Sequence, residues 1–382
     1  MRALSSRRIL TAAVVPVIAA VGLLVPSTAS AAPTACAFTP TTVSTAGGFS
    51  AGDRAAPFST PKPSDHIATL DAFSSLSPAI KQQNLLETIA VNNTASQKVS
   101  SYAVDDNYAI EGPAIFNALG SRLSPAFFDA LKAGQLPKTS ELLLGEKALV
   151  GERVGTSQEK KYFDYKRPFE VAPTFIRHYG DGRPDLYESV RGSGSYPSGH
   201  TTWGYAQAFL IATMLPEVGP QVLARGAEYG YHRIVLGVHY PLDVIGGRML
   251  AENIASEVIA DPKFASLLAQ ARTELRTVLA ARVGAPIGRI VGCQQPYVST
   301  GEALRSYRQR ATYSFLPMGP GAPVQVPAGA ENLIRAAHPG WSTQQLRDLL
   351  ARTALPGGYP LDKTGSSGGW QRLDIARAWL TR

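Results

Sequence analysis

The chain has 382 residues, of which 45% are hydrophobic and 17% are charged, and its formal net charge is +8. This composition excludes an intrinsically disordered chain, because enough apolar side chains are present to build a core. The basic residues are scattered and no nucleic-acid-binding motif is present, so the charge suits an anionic substrate rather than a nucleic acid.

The first 31 residues have the three parts of a secretory signal peptide. Arg7 and Arg8 supply positive charge, residues 9–25 are apolar, and residues 29–31 read Ala-Ser-Ala, as at a cleavage site. The surrounding residues fit a twin-arginine signal poorly, so Sec export with cleavage after Ala31 is favoured. We expect a secreted or periplasmic protein without a membrane-spanning segment after cleavage, because no later apolar stretch is long enough to cross a bilayer.

The chain contains two cysteines, Cys36 and Cys293, and both lie beyond the predicted cleavage site. In an oxidising compartment an even pair most simply forms one disulfide, so we predict a Cys36–Cys293 bond. The alternative is two unpaired thiols. The spacing excludes a metal-binding knuckle.

Hydrophobic periodicity predicts a mostly helical main domain without strands before Cys293. Residues 33–63 have the composition of an extended arm, and residues 162–196 are a long, irregular segment of the kind that is often functional. The predicted helical segments are 66–91 with a break at 77–78, 110–131 with interruptions at Gly120 and Pro125, 142–154, 200–215, 222–231, 241–259 and 262–283.

Glycine and proline become frequent after Cys293. A capping box at residues 342–345 predicts a helix to Arg352, and residues 373–380 predict a short final helix. We therefore divide the chain into a signal peptide (1–31), a main domain (32–300) and a C-terminal extension or small accessory domain (301–382).

Three separated segments carry groups suited to phosphate chemistry: residues 160–169, 197–200 and 231–243. The second is a tight turn followed by a segment with the apolar periodicity of a helix. The positive end of that helix dipole and its free N–H groups would therefore bind an anion at the turn. The cations and turn residues that could surround it are Lys160, Arg167, Arg233, Ser198 and Gly199. Phosphoryl transfer without a metal requires such neutralising groups together with a nucleophile and an acid.

The third segment places His239 four residues before Asp243, with Pro241 suited to the first position of a helix. A carboxylate that accepts the Nδ1–H of an imidazole leaves Nε2 free as a nucleophile. For this pair alone, a helix-capping acid beside an ordinary half-buried histidine is an equal alternative.

The three segments read K-x6-R-P, P-S-G-H and R-x5-H-x3-D between Lys160 and Asp243. This pattern resembles the signature of the type 2 phosphatidic acid phosphatase (PAP2) superfamily, which includes bacterial class A non-specific acid phosphatases and vanadium haloperoxidases. Residues 167–169 and 195–201 look most like the acid phosphatase branch. The resemblance implies an all-α helical bundle with the site where the ends of several helices meet.

The resemblance also implies a role for each matched residue. His239 would attack phosphorus and form a phosphohistidine, Asp243 would orient His239, and His200 would protonate the leaving oxygen and then activate water. The implied phosphate ligands are Lys160, Arg167, Ser198, Gly199 and Arg233.

One position departs from the family pattern, because His232 stands where the family has a serine before the arginine. His232 could hydrogen-bond the phosphate or its neighbours, or it could merely pack; we favour a supporting role.

The remaining histidines and two lysines lie off the motifs. We expect His66, His178 and His338 at the surface or in loops, without a metal cluster, since no ligand spacing surrounds them. Lys161 and Lys166 are expected to be solvated.

The leading functional prediction is an exported, metal-independent phosphomonoesterase that needs no cofactor and acts on a small phosphorylated substrate. One alternative is a vanadium-dependent haloperoxidase, in which vanadate would be a cofactor rather than an inhibitor. A soluble lipid-phosphate or pyrophosphate phosphatase is another. A non-catalytic phosphate-binding protein would require a lost catalytic residue, and none is lost.

Overall fold

The computed structural model describes residues 36–44, 47–319 and 321–381. Within these ranges the chain forms helices and 3₁₀ turns and no strand, which confirms the predicted all-α class. The predicted signal peptide, residues 1–31, lies outside the described residues.

The α-helices of the described residues are α1 (Ala51–Ala55), α2 (Ile67–Leu70), α3 (Pro78–Thr94), α4 (Gln97–Tyr108), α5 (Leu123–Lys132), α6 (Pro137–Leu143), α7 (Ser157–Phe163), α8 (Pro168–Val171), α9 (Gly199–Met214), α10 (Gly219–Val235), α11 (Pro241–Ala260), α12 (Pro262–Val283), α13 (Ile287–Gly292), α14 (Thr300–Thr312), α15 (Thr343–Thr353) and α16 (Ile375–Leu380). Short 3₁₀ turns join several of them.

Helix α9 is the centre of the bundle and packs chiefly against α10 and α11. It is apolar on nearly every side, as expected of a helix surrounded by others. Small residues let α10 approach closely: a Cβ on Gly226 would lie 2.9 Å from the Cβ of Ala208. At the N-terminal end of α9, a Cβ on Gly230 of α10 would lie 3.0 Å from Thr201 Cγ2. A Cβ on Gly247 of α11 would lie 2.7 Å from Ser198 O. The end that carries the second motif is therefore packed closely between both neighbours.

Two predicted details of the first half are wrong. The predicted helix 142–154 is instead the end of α6 followed by a 3₁₀ turn at Leu149–Glu152, because Gly145, at φ 83°, breaks the chain direction between them. Pro125 does not interrupt α5 but lies in its first turn, where the missing N–H has no helical acceptor to lose.

Helices α4, α7 and α14 have no counterpart among the predicted segments. Each is polar over much of its length, so its periodicity is weak; α4, for example, buries Ser100 and Asp106 beside Ala103 and Val104. The absence of α4 from the predicted helices is the most important of these differences, because the C-terminal end of α4 reaches the candidate site.

The residues after 300 pack on the same core as the preceding helices. Helix α14 lies along α10, and the residues before α16 lie against α11. The buried Arg248 of α11 pairs with Glu252 at 2.7 Å and donates to the carbonyl of Gln371 at 2.8 Å. Trp379 donates to the carbonyl of Pro216 at 3.2 Å. The C-terminal segment is thus part of the bundle that supports the site.

Cys36 and Cys293 are both disulfide-bonded, and they are the two cysteines of the sequence. The predicted disulfide is therefore present. Among the described residues, no helix combines the length and the apolar character needed to cross a membrane.

One carboxylate fastens the arm before α2 to the bundle. Asp261 caps α12 by accepting from the N–H groups of Lys263 and Phe264, both at 3.1 Å. The same carboxylate accepts from the N–H of Ser59 at 2.8 Å and of Thr60 at 2.9 Å. Asp261 is buried, whereas Ser59 and Thr60 are exposed, so this carboxylate joins a surface segment to the start of α12.

We predict that Asp261→Ala lowers the free energy of unfolding by about 2–4 kcal/mol, because a helix cap and the charge-assisted hydrogen bonds that hold the arm are both lost. Ser77→Ala, which removes the single-bond cap of α3, is the matched control and should cost about 0.5–1 kcal/mol. Urea unfolding measures both. Equal losses in the two variants would contradict this assignment.

The same carboxylate predicts a pH dependence. Burial raises the pKa of Asp261, but hydrogen bonds from Ser59, Phe264 and Thr60 outweigh burial and lower the pKa to about 2, from 3.8. Because the folded pKa is the lower one, this stabilisation is complete above the unfolded pKa and is lost as pH falls through about 2. Stability should therefore fall less steeply with acid in Asp261→Ala than in the wild type, as measured by unfolding in a pH series.

Candidate active site

The three motif segments meet at one end of the central helices. Helix α7 carries Lys160, the turn before α8 carries Arg167, and α9 begins with the Ser198–His200 turn. Arg233 lies in the last turn of α10, His239 lies in the turn from α10 to α11, and Asp243 lies in the first turn of α11. Hydrogen bonds link these residues directly or through one intermediate.

His239 is held by a carboxylate that uses a single oxygen. Oδ2 of Asp243 accepts from the N–H of Tyr240 at 2.9 Å and from Oγ of Ser195 at 2.5 Å, and it lies 3.1 Å from Nδ1 of His239. A carboxylate accepts, so this geometry assigns the imidazole proton to Nδ1. Oδ1 of Asp243 is buried without a hydrogen-bond partner in the described part of the chain.

The other imidazole nitrogen faces a guanidinium group. Nε2 of His239 lies 3.1 Å from Nη1 of Arg167. Carbonyl oxygens fix the guanidinium: it donates to Ser193 O at 3.1 Å, to Val238 O at 2.9 Å and to Gly194 O at 3.2 Å. Nε2 of His239, the candidate nucleophile, and the guanidinium of Arg167 therefore border the same position in the site.

Lys160 and Arg233 provide two further cations at this position in the site. Nζ of Lys160 donates to Gly194 O at 2.6 Å, and Nη1 of Arg233 donates to Oδ1 of Asn107 at 2.6 Å. Nε and Nη2 of Arg233 are buried and have no protein acceptor among the described residues. Buried donors of a charged group are costly to leave unpaired, so they indicate an anionic ligand.

The turn before α9 is built around Ser198. Its Oγ caps the helix by accepting from Thr201 N at 3.3 Å and Thr201 Oγ1 at 2.8 Å, while its own N–H donates to Asp243 O at 3.0 Å. The N–H groups of Gly199 and His200 belong to the first turn of α9 and have no acceptor within the helix. A Cβ at Gly199 would lie 3.0 Å from Thr156 Oγ1, so glycine keeps this approach open.

His200 is oriented by a carbonyl of α4. Its Nε2 lies 3.1 Å from Asn107 O, and because a carbonyl accepts, Nε2 carries the proton. Nδ1 is then the nitrogen available for exchanging a proton with a ligand. The residue is half-buried and so accessible from the site.

Burial and crowded positive charge perturb both site histidines. Burial and the charges of Arg167 and Lys160 lower the pKa of His239 well below its usual value. Burial and the charge of Arg233 do the same to the pKa of His200. Burial raises the pKa of Asp243 to about 6, although the Ser195 hydrogen bond opposes this shift. The site is therefore strongly electropositive and suited to an oxyanion.

His232 pairs with an acid of α4 and has no hydrogen bond to a predicted phosphate ligand in the described part of the chain. It is buried on α10, and its Nδ1 lies 2.6 Å from Oδ2 of Asp106 on α4. His232 thus contacts Asp106, a residue next to the site that the sequence pattern does not single out.

His66 and His338 lie in loops, which agrees with the predicted surface or loop positions, but neither side chain is exposed. His338 is buried, with Nε2 2.8 Å from Ala378 O. His66 is largely covered and lies 3.8 Å from both Glu159 and Glu257. These partners are distant in sequence, so local pattern could not reveal them.

The remaining surface predictions hold. His178 is exposed and stacks on Tyr187 with 3.8 Å between ring centroids, and Lys161 and Lys166 are exposed. In the described ranges, no three His, Cys, Asp or Glu side chains are grouped so that they could hold a metal ion.

Sequence reasoning assigned no role to Ser195 or Asn107. Ser195 lies two residues before Pro197, within the stretch 195–201 that resembles the acid phosphatase branch, so its position next to the motif indicated that it lies near the site. Asn107 lies in α4, about 50 residues before the first motif. Nothing local marks Asn107, and only the packing of α4 brings it to His200 and Arg233.

We predict that orthophosphate binds this site and that Arg233→Met weakens binding about 10- to 100-fold, because hydrogen bonds to a charged group are lost. Exposed Arg305 offers the matched control Arg305→Met, which should bind like the wild type. The rise in Tm with phosphate, or calorimetric titration, measures the difference. Unchanged phosphate binding by Arg233→Met would contradict the assignment.

Comparison with known proteins finds relatives of the region that carries the three motifs. Residues 148–264 match the PAP2 superfamily. A non-specific acid phosphatase of Salmonella typhimurium is 26% identical over 218 residues, which cover 54% of this chain and 85% of that protein. An acid phosphatase of Zymomonas mobilis is 33% identical over 145 residues, covering 38% of this chain and 52% of that protein.

A non-specific acid phosphatase of Providencia stuartii is 28% identical over 156 residues, covering 41% of this chain and 60% of that protein. The matched region includes all three motifs, from Lys160 to Asp243. Residues 148–264, which carry the three motifs, are therefore identified as a PAP2 domain.

Proposed function

We propose that this protein is an exported phosphatase that hydrolyses phosphate monoesters through a phosphohistidine on His239. The observation that carries the proposal is that the imidazole of His239 has a carboxylate beside one ring nitrogen and a guanidinium beside the other. Asp243 lies 3.1 Å from Nδ1, while Arg167 lies 3.1 Å from Nε2. A nucleophile held in this way presents its lone pair beside the cation that would bind the phosphate.

In the first step, Nε2 of His239 attacks phosphorus and the bond from phosphorus to the ester oxygen breaks. His200 gives its Nδ1 proton to that oxygen, so the alcohol leaves neutral. In the second step, His200 takes a proton from water, the water oxygen bonds to phosphorus, and the bond from phosphorus to His239 breaks. Orthophosphate is released and both histidines return to their first state.

The three cations supply the stabilisation of the transferring group. Lys160, Arg167 and Arg233 surround the position that faces His239, and they would neutralise the equatorial oxygens. Arginine suits paired contacts with phosphate oxygens, and Lys160 acts as a point charge. Unpaired donors of Arg233 support this role. We propose that these groups make a metal cofactor unnecessary and that vanadate inhibits by occupying the phosphate position.

Export is supported by two features. Residues 1–31 have the pattern of a signal peptide, and the Cys36–Cys293 disulfide suits an oxidising compartment. The relatives are named non-specific acid phosphatases, which supports small phosphate monoesters as the substrate class.

We predict that His239→Ala lowers kcat about 1,000-fold or more, because no other group replaces the nucleophile. His178→Ala, which removes an exposed histidine, is the control and should turn over normally. Phosphate release measures kcat, and circular dichroism verifies folding. Full activity of His239→Ala would overturn the mechanism.

Labelling tests the intermediate directly. After a base quench, ³²P from a substrate with a good leaving group should remain on the wild-type protein and be absent from His239→Ala. His200→Ala should still be labelled by this substrate but release phosphate slowly, since it lacks the base for water attack. Label on His239→Ala would contradict the assignment.

The perturbed histidines predict an acidic pH range. His239 must be neutral to attack and His200 must be protonated to assist the leaving group, and burial and the cations lower both pKa values below 6.5. The optimum of kcat/KM should therefore lie below pH 6.5. A bound phosphate dianion raises the pKa of His200, so the basic limb of kcat should lie at higher pH than that of kcat/KM. Coinciding basic limbs would argue against this role of His200.

A substrate screen separates the remaining alternatives. Phosphate release is measured from small monoesters, pyrophosphate and lipid phosphates, with chelator and with vanadate in parallel. We expect monoesters to be preferred, chelators to have little effect and vanadate to inhibit. Bromide oxidation by the vanadate-loaded protein without phosphate release from monoesters would contradict the proposal.

A further inference from the structure

The C-terminal end of α4 lies between α10 and the candidate site. Its consecutive residues Asp106 and Asn107 enter different hydrogen-bond networks. Asp106 is bound by side chains of α10, whereas Asn107 contacts His200 and Arg233. A displacement of one residue would therefore be transmitted to the other through a single peptide unit.

The Asp106 network is buried and holds α4 firmly. Arg225 pairs with the carboxylate through two bonds, at 2.9 Å to Oδ2 and 2.5 Å to Oδ1. Nδ1 of His232 lies 2.6 Å from Oδ2, and Tyr229 donates to the backbone carbonyl of Asp106 at 2.8 Å. Arg225 and His232 are seven residues apart, two turns of α10, so they lie on one face of that helix. We call Asp106, Arg225 and His232 the α4 lock.

The lock is stable because its charges are paired. A buried carboxylate is tolerated when counter-charges and hydrogen bonds compensate for lost hydration. Burial raises the pKa of Asp106, but the hydrogen bond from His232 and the charge of Arg225 outweigh it and lower the pKa. The carboxylate therefore remains ionised.

Asn107 serves the site with two different oxygens. Its backbone carbonyl lies 3.1 Å from Nε2 of His200, and its side-chain Oδ1 accepts from Arg233 at 2.6 Å. Carbonyls in the last turn of a helix lack helical partners and lie at the negative end of the dipole. The carbonyl thus both orients His200 and favours its protonated form.

We propose that the α4 lock is a positioning device for this reaction: Asp106, held by His232 and Arg225, sets Asn107, and Asn107 orients the acid His200 and the phosphate ligand Arg233. This inference rests on the proposed phosphatase function. It gives His232 a definite task, because an imidazole on α10 reaches the Asp106 carboxylate directly.

The two oxygens of Asn107 predict separable effects. The carbonyl acts through His200, whose proton matters for a poor leaving group and little for a good one. The side-chain oxygen acts through Arg233, which binds phosphate in the ground state as well as in the transition state. Disturbing the lock should therefore change leaving-group sensitivity, whereas removing the Asn107 side chain should change phosphate affinity.

The first experiment compares His232→Ala with His232→Asn, whose amide Nδ2 can replace the ring Nδ1 as donor to Asp106. For His232→Ala we expect kcat/KM to fall about 10- to 100-fold with phenyl phosphate and less than about 3-fold with dinitrophenyl phosphate, from the usual size of general acid catalysis. His232→Asn should recover most of the loss.

The matched control is His338→Ala, which also deletes a buried imidazole with one hydrogen bond, at a position remote from the motifs in sequence. It should lower Tm without changing the ratio of rates for the two esters. Equal losses of His232→Ala with both esters, or a ratio like that of His338→Ala, would overturn the role of the lock.

The second experiment uses Asn107→Ala at a half-buried position that leaves the backbone carbonyl in place. We expect the inhibition constant for orthophosphate to rise about tenfold, the loss of one charge-assisted hydrogen bond, with leaving-group sensitivity unchanged. Unchanged phosphate affinity would overturn the role of Asn107, even if His232→Ala fails to fold.

Failure of the proposed function looks different. In that case the wild-type protein releases no phosphate from either ester, whereas failure of the present inference leaves an active wild type with variants that lack the expected pattern. Phosphate-induced shifts in Tm of Asn107→Ala, compared with the wild type, test the Arg233 contact without turnover.

Discussion

The site depends on holding three cations together in a largely buried place. Lys160, Arg167 and Arg233 repel one another, and burial adds to the cost of their charges. Backbone and side-chain oxygens offset part of that cost, through Gly194 for Lys160 and Asn107 for Arg233. The compensation is incomplete, since Arg233 keeps unpaired donors in the described structure. In the proposed function a bound phosphate dianion would complete the compensation.

The same cations control the acid–base chemistry. Burial and these cations lower the pKa values of both site histidines, so the proposed nucleophile His239 would stay neutral in acid, where His200 is more often protonated. Asp243 counters the cations from the opposite side of His239 and is itself anchored by Ser195. One charge distribution thus serves binding and catalysis together, and bound substrate alters the balance by adding negative charge beside His200.

Contacts made by helices outside the motifs hold the site residues in their relative positions. The turn before α9 is tied to α11 through Ser198 and Asp243, and α11 is tied to the C-terminal segment through Arg248. Helix α4 approaches from the other side and supplies Asn107. Because a helix bundle places each side chain through packing of whole helices, residues far from the site in sequence contribute to its geometry.

The amino-acid sequence by itself determined the helical class from periodicity and the disulfide pair from the number of cysteines, and the resemblance of its three motifs to the PAP2 signature gave the candidate site residues from Lys160 to Asp243. The sequence also located most boundaries of α9 to α12, whose apolar patterns are strong. The tertiary structure alone decided the partner of His232, the burial of His338 and the entry of Asn107 into the site. These three features depend on contacts between segments that are distant in sequence, such as α4 and α10. The polar composition of α4 does not predict those contacts.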